Sequence, residues 1–307
     1  MADLERLLER TSRTFALNIP YLPEPTRGEV TIAYLLFRIA DTFEDSVLWT
    51  REERVEALGR FSRLLREPDP DEATNLAQRW CERPPLEHEG YMELLAATPA
   101  VLDDFGSLSA SAVAAIREHV VRTAEGMSDF VERSDSESDF RLRDIQDLRD
   151  YCYAVAGIVG EMLTVLFLLG RPALEPVAER LRSLAPLFGE GLQLTNILKD
   201  VPTDQVEGRR FLPEAVDRDR IFELASDDLE RGVDYTLTLQ DAGVERGLVL
   251  FNALPVAMAR ATLAKVASSG AGSKISRPEV WRIVSRVERA FDQGRPVLEY
   301  GPVGSVG

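Results

Sequence analysis

Residues 153–170 read YAVAGIVGEMLTVLFLLG, an almost wholly apolar run about long enough to cross a bilayer. Glu161 sits at its middle, where a carboxylate costs roughly 2.5–3.5 kcal/mol on insertion scales. A helix apolar on every side is also what the centre of a large helical protein requires. Nothing else in the chain reads as membrane-embedded, so the run is taken as a buried helix of an all-α protein.

Helical periodicity extends outward from it in both directions, with helices expected over 28–40, 51–66, 110–131, 142–169, 173–200, 219–241, 244–267 and 277–293. In 51–66, Val55, Leu58, Phe61, Ser62 and Leu65 recur at three- and four-residue intervals, the stripe a half-buried helix needs. Pro84–Pro85, Gly170–Arg171–Pro172 and Ser268–Ser269–Gly270 punctuate helix ends, and Ser276 to Glu279 form a capping box around Pro278. No alternating strand pattern with a hairpin turn is convincing. The expectation is a single all-α domain over 1–293, a helical bundle around a central apolar cavity. A mobile acidic loop at 132–140 and a fraying Gly/Pro tail at 294–307 complete it.

Composition excludes several functions. The 307 residues carry 36 Lys plus Arg against 52 Asp plus Glu, a formal charge of −16. That sign argues against nucleic acid, which needs a clustered cationic face, and against passive adhesion to an anionic leaflet. Cys81 and Cys152 cannot build a disulfide framework and read as reduced intracellular thiols. His88 and His119 provide no zinc-ligand spacing, and no GxSxG, GxxxxGK[ST] or GxGxxG motif occurs. The charged N-terminus MADLERLLERTSRTF lacks a signal-peptide core.

DTFED at 41–45 carries the most chemistry. Asp41, Glu44 and Asp45 fall at i, i+3 and i+4, which gathers three carboxylates on one helical face after a buried-looking helix. Such hard oxygen ligands suit Mg²⁺, which takes one or two carboxylates, waters and phosphate oxygens. Alone, the motif fits a solvated acidic helix end equally well. A second face tips the balance: in GEGLQLTNILKDVPTD (189–204), Gln193, Asn196 and Asp200 line one side of an apolar helix. Asp204 would continue that face, but Pro202 is expected to kink or end the helix before it. The two acidic faces together favour a shared metal–diphosphate site.

Arginine supplies nearly all the positive charge, since only residues 199, 265 and 274 are lysine. Lys199 adjoins Asp200, and Arg209 and Arg210 follow in EGRRFLP. Guanidinium forks grip phosphate bidentately. In YCYAVAGIVG (151–160), small Ala156, Gly157 and Gly160 permit close approach of a helix or a long apolar ligand, and Tyr151 offers a phenol and a π face. Alone, that segment fits tight helix packing around a core tyrosine better.

Taken in order, SRTF (12–15), DTFED (41–45), YCYAVAGIVG (151–160), QLTNILKDVPTD (193–204) and GRRFLP (208–213) resemble the squalene/phytoene synthase family of head-to-head prenyl synthases. NALPVAMARATLAKV and SKISRPEV are more similar to its squalene synthase branch. The resemblance implies an isoprenoid-synthase fold in which Asp41, Glu44, Asp45, Asn196, Asp200 and Asp204 hold Mg²⁺ against substrate diphosphate. It implies substrate-binding roles for Ser12, Arg13, Gln193, Asn196, Lys199 and Arg209. Tyr151, with Asp41, Asp45 and Asp200, would be catalytic, and Lys274 and Arg277 would meet NADPH.

The implied reaction joins two farnesyl diphosphates through presqualene diphosphate to squalene, a hopanoid or sterol precursor. Geranylgeranyl diphosphate is the longer candidate substrate. Dehydrosqualene or phytoene synthesis without NADPH, a stop at presqualene diphosphate, and a catalytically silent scaffold are the competing readings. Three departures from the family pattern stand out: Pro202–Thr203 where a glutamate usually precedes the last aspartate, Lys199 for a frequent arginine, and no basic residue near ATPAVLDDF (97–105). Without the eukaryotic C-terminal anchor, a cytoplasmic enzyme is expected, peripheral to the inner membrane face, with transient membrane contact for product release and no obligate protein partner.

Overall fold

The computed structural model describes residues 3–12, 15–133 and 140–301. It is all-α, and its helices gather into two compact units, residues 1–20 with 24–137 and residues 21–23 with 138–307.

The first unit contains α1 (Leu4–Thr11), the short α2 (Phe15–Asn18), α3 (Thr26–Glu44), α4 (Arg51–Arg66), α5 (Pro70–Glu82), α6 (Glu89–Ala96), α7 (Thr98–Gly106) and α8 (Ala110–Glu132). Helix α3 runs through its middle, packed against α1, α4, α6, α7 and α8. Leu35, Leu36, Ile39 and Phe43 are fully buried along it, each stabilising by about 1.5–3 kcal/mol relative to exposure. Side chains close the helix starts. Thr50 and Glu53 form a reciprocal capping box on α4, and the Asp69 carboxylate accepts from the Asp71 and Glu72 amides at 3.0 Å on α5. Helices α1, α2, α5, α6 and α7 are additions to the expected set; α5 carries end signals in sequence at Asp69 and Pro84.

The second unit holds α9 (Ile145–Cys152), a π-helical turn (Tyr153–Gly157), α10 (Ile158–Leu168), α11 (Ala178–Val206), α12 (Arg218–Asp241), α13 (Arg246–Ser269) and α14 (Arg277–Asp292). Helix α11 is its axis, flanked by α10, α12 and α13. The small residues of 151–160 serve helix packing. A Cβ on Gly189 would lie 2.2 Å from the Ala156 carbonyl oxygen, and one on Gly160 would lie 2.3 Å from that of Ala185. Gly270, at φ +87°, closes α13 where the Ser–Ser–Gly signal places its end, and the Ser276–Glu279 capping box opens α14. The segment 145–168 and helix α13 are each long and apolar enough to cross a membrane by length and composition, and 50% and 56% of their apolar windows are buried in the protein.

Three expectations need correction. Helix α11 runs through Pro202 to Val206 rather than stopping. Proline removes the amide that would donate to Leu198 and crowds the turn before it, yet the helix continues, and in this turn the Gly272 amide of the loop after α13 donates to the Lys199 carbonyl at 2.7 Å. A two-residue parallel pairing, β1 (Phe140–Arg141) with β2 (Arg209–Arg210), exists where no strand was expected. Residues 294–301 are held in place, not frayed. Arg260 donates to the Glu299 carbonyl at 2.6 Å, Gln240 accepts from the Val297 amide at 3.0 Å, and Val297 and Leu298 are buried. Residues 134–139 of the acidic loop and 302–307 of the tail lie outside the described residues.

Candidate functional site

In the first unit, α3 delivers the DTFED acids. Asp41 and Asp45 are half-buried, while Glu44 is only 5% exposed, so the three acids share a face but not the same access to solvent. Arg38, one turn earlier, places Nη1 3.2 Å from Asp41 Oδ2. Its guanidinium also lies 5.6 Å and 5.5 Å from the Tyr34 and Tyr91 ring centres, and its Nε donates to the Tyr34 hydroxyl at 3.3 Å. Burial opposes the Arg38 charge, yet Asp41 and the two phenols leave its proton affinity above the ordinary value. Burial pushes the Asp41 carboxyl up to about 6, Arg38 opposing and neighbouring Asp45 adding to the rise. Behind the acids, Phe43 lies against Trp49 and Trp80 at 5.7 Å and 4.6 Å, and Arg54 donates to the Glu44 carbonyl. These contacts fix the end of α3.

Ser12 acts locally: its Oγ accepts from the Phe15 amide at 2.9 Å. Arg13 lies outside the described residues. A groove of about 140 Å³ in this unit, lined by Trp49, Glu53, Arg60, Arg79 and Trp80 among others, is bordered by none of the motif acids.

In the second unit, α11 carries Gln193, Asn196, Lys199, Asp200 and Asp204. Lys199 Nζ donates to Asn196 Oδ1 at 3.2 Å and lies 3.1 Å from Asp200 Oδ2, so one cation knits this face together. Gln193, Asp200 and Asp204 are half-buried and Asn196 is exposed. Tyr151 is 4% exposed, its ring 5.0 Å from Phe211 and 5.6 Å from Phe140. The β1–β2 pairing brings those two phenylalanines together at 5.3 Å and holds Arg209, ion-paired to Glu207 at 3.2 Å, beside the cluster. Lys274 and Arg277 are exposed in and after the loop that Gly272 ties to Lys199.

Sequence reasoning missed two features. Arg38 is the only cation inside the apolar helix 28–40 and stands three residues before Asp41; that isolation was the available signal. The other is a buried ionic group below Gln193. Arg149 meets Glu190 through Nε–Oε1 and Nη2–Oε2, both 3.0 Å, with Cys152 and Asp228 close by. Glu190 and Asp228 are 4% and 5% exposed, and Asp228 Oδ2 is buried without a hydrogen-bond partner. Burial, then the Glu190 charge, drives Asp228 up to about 7, and burial with the same two acids pushes the Cys152 thiol well up. Among the described residues, no group of three or more His, Cys, Asp or Glu side chains is gathered closely enough to hold a metal ion. Magnesium does not need one, because waters and phosphate oxygens complete its octahedron.

An all-helical chain with acid-bearing faces on two long helices has the architecture of the isoprenoid-synthase class. The squalene/phytoene synthase family model matches residues 8–232, and the chain belongs to that family. The match includes every motif from SRTF to GRRFLP and ends before Lys274 and Arg277. The chain is 29% identical to the squalene synthase of Eremothecium gossypii over 289 residues, 86% of this chain and 62% of that protein. It is 31% identical to the squalene synthase of Homo sapiens over 214 residues, 69% of this chain and 46% of that protein. It thus spans about six-tenths of the length of the first curated relatives it matches. A solved complex of TcSQS with the ligand E5700 superposes with a TM-score of 0.76 at 27% identity, covering 92% of this chain and 84% of that one. The squalene synthase HpnC from Alicyclobacillus acidocaldarius shares the fold at a TM-score of 0.54 and 18% identity, over 87% of this chain and 92% of that one.

Proposed function

We propose that this chain condenses two farnesyl diphosphates head to head, through presqualene diphosphate, to squalene with NADPH as the hydride donor. The observation that carries the reading is the state of Asp41 on α3: half-buried and 3.2 Å from Arg38, it keeps a raised proton affinity, to which the Asp45 charge adds. Two half-buried carboxylates one turn apart offer the hard oxygens a divalent ion takes. Asp41 and Asp45, with Glu44 behind them, would hold Mg²⁺ in the first unit, and Asp200, Asp204 and Asn196 in the second. Each set already has one cation at a motif aspartate, Arg38 at Asp41 and Lys199 at Asp200. When bound, Mg²⁺ supplies positive charge to the departing diphosphate oxygens.

The chain's own groups do the rest. Ser12, Arg13, Lys199 and Arg209 bind diphosphate oxygens, and Gln193 and Asn196 orient them. Apolar side chains of 153–168 keep water from the allylic cation formed when diphosphate leaves the first farnesyl chain. The double bond of the second chain attacks that cation, and loss of one proton closes the cyclopropane of presqualene diphosphate. Released diphosphate is the better base, because a phenol near its ordinary pKa of about 10 holds its proton at neutral pH. Tyr151, set in its aromatic cluster, positions or relays that proton. A second ionisation releases the other diphosphate, the skeleton rearranges, and hydride from NADPH completes squalene. Lys274 and Arg277 offer two exposed cations for the nicotinamide nucleotide's phosphates, on a loop tethered to the α11 motif.

The deciding experiment incubates the protein with farnesyl or geranylgeranyl diphosphate and Mg²⁺, with and without NADPH, and weighs the products. Squalene formed only with NADPH supports the reading. Dehydrosqualene or phytoene in both arms moves the protein to the desaturating siblings, presqualene diphosphate alone makes it a first-step enzyme, and no turnover favours a scaffold. Recovery in the cytosolic fraction, with a minor membrane-bound share, is the localisation this reading expects.

A further inference from the structure

Helices α9 and α12 meet α11 through charge as well as through apolar packing. Arg149, on α9, approaches Glu190 of α11 at two points: its Nη2 donates to Oε2 at 3.0 Å, and its Nε lies 3.0 Å from Oε1. Asp228 joins the group from α12. A Cβ on Gly191 would lie 3.0 Å from the Asp228 carbonyl carbon, so the backbones of α11 and α12 run very close there. Glu190 and Asp228 are buried, and Asp228 Oδ2 has no hydrogen-bond partner. Withdrawing two carboxylates from water is costly, and apolar side chains of similar volume are often at least as stable in such a place. A planar guanidinium held at two points fixes an angle as well as a distance, which apolar contact does not.

The place of the group in the chain gives it a use. Arg149 stands two residues before Tyr151, and Glu190 stands one turn before Gln193, at the head of the face that continues to Asn196 and Asp200. The Arg149–Glu190 contact therefore joins the helix that carries Tyr151 to the helix that carries the second motif. We propose that Arg149, Glu190 and Asp228 are positioning residues, holding α9 and α12 on α11 in the register that sets Tyr151 against the motif. The inference rests on the proposed reaction, in which Tyr151 positions or relays the proton lost in cyclopropane closure. Gln193, Asn196, Lys199 and Asp200 share one helix and keep their mutual geometry whatever α9 does. Loss of register therefore falls on turnover rather than on diphosphate binding.

The test compares the parent with a triple variant, Arg149→Met with Glu190→Met and Asp228→Asn, at a temperature where circular dichroism shows both folded. The thermal midpoint should stay at or above the parent's. The kcat for presqualene diphosphate should fall at least about tenfold, while the KM for farnesyl diphosphate stays within about threefold. A second readout needs no turnover: with a fluorinated tyrosine at position 151, magnesium pyrophosphate should shift the fluorine resonance of the parent and leave that of the variant nearly unmoved. Arg149→Lys, which keeps the charge and loses the planar fork, carries the same test if the triple variant does not fold. A parent whose resonance responds but which makes no presqualene diphosphate defeats the proposed reaction and leaves the positioning role standing. A variant as fast as the parent overturns the inference, above all if its midpoint is lower, because the group is then structural only. So does a fluorine resonance that responds alike in both proteins, or that ignores magnesium pyrophosphate in the parent.

Discussion

Arg38 Nη1 stands 3.2 Å from Asp41 Oδ2, one turn along α3, and the ion pair does not offset the cost of burying that carboxylate. Burial disfavours the ionised Asp41, and the charge of Asp45 adds to the rise in its proton affinity. If a divalent ion offsets that cost, Asp41→Asn should lower farnesyl diphosphate turnover at least about a hundredfold. The far-ultraviolet circular dichroism should remain, since asparagine keeps the side chain's size. Turnover retained by the variant would remove DTFED from the chemistry.

The same carboxyl predicts an acid limb. With its proton affinity raised to about 6, Asp41 becomes protonated as pH falls through that value, and a protonated carboxyl is a poor metal ligand. The limb of kcat/KM should therefore lie near pH 6 at low Mg²⁺ and move to lower pH as Mg²⁺ is raised, because metal and proton compete for the same oxygens. Chelation with EDTA should abolish turnover, and added Mg²⁺ should restore it. A limb indifferent to Mg²⁺ assigns the titration to another group.

Asp228 makes a prediction about stability. Its folded proton affinity, about 7, exceeds the ordinary carboxylate value, so the native state keeps a proton that the unfolded chain gives up. Stability is thus lost as pH rises from about 4 to about 7 and is constant beyond. The groups that set this are Glu190, Arg149, Asp227 and Arg231 around it. Asp228→Asn removes the titration, and at about pH 8 it should be more stable than the parent by roughly 1–2 kcal/mol, with little difference at about pH 4. Urea unfolding midpoints at the two pH values measure it, and a parent more stable than the variant at the higher pH would contradict the burial argument.

The α4 boundaries were legible to the residue, 51–66 expected and Arg51–Arg66 found, because Thr50 and Glu53 mark the start in sequence and the stripe runs to the end. Pro202 misled because one missing amide does not end a long packed helix: α11 continues to Val206, and its Lys199 carbonyl also accepts from Gly272, seventy residues beyond Pro202, a contact no local pattern encodes. The pairing of Phe140 with Arg209 is too short to leave a period-two signature. Arg38 was overlooked because the helix was read for its apolar stripe, and one cation in such a stripe looks like a solubilising exception. Glu190 and Asp228 were invisible together, since only the close approach of α12 to Gly191 joins them. Motif residues therefore showed in the sequence wherever neighbours on one helix carry the pattern, and vanished wherever two helices must meet to make it.

The contact between α11 and the π-helical turn before α10 depends on glycine. A Cβ at position 189 would sit 2.2 Å from the Ala156 carbonyl oxygen, a backbone atom that cannot swing aside. Gly189→Ala must push the two helices apart, and overpacking of this kind costs about 1–3 kcal/mol or more. The intrinsic helix propensity of alanine, worth about 1 kcal/mol in its favour, does not offset it. Thermal unfolding should report a midpoint several degrees lower. A neutral or raised midpoint would mean that the π-helical turn at Tyr153–Gly157 absorbs the displacement.

Tyr151 separates chemistry from packing, because its hydroxyl can be removed while its ring is kept. The ring fills a cluster with Phe140 and Phe211 at 5.6 Å and 5.0 Å, and phenylalanine would fill it equally well. Tyr151→Phe should thus leave the thermal midpoint nearly unchanged, within about 1 kcal/mol for a lost hydroxyl contact. If the hydroxyl positions or relays the proton lost in cyclopropane closure, presqualene diphosphate formation should fall about tenfold or more while the KM for farnesyl diphosphate holds. Phe211→Leu provides the contrast: it loosens the cluster and lowers the midpoint while leaving the hydroxyl in place. A Tyr151→Phe enzyme as fast as the parent, beside a destabilised Phe211→Leu, would make the tyrosine a packing residue and leave the proton to diphosphate alone.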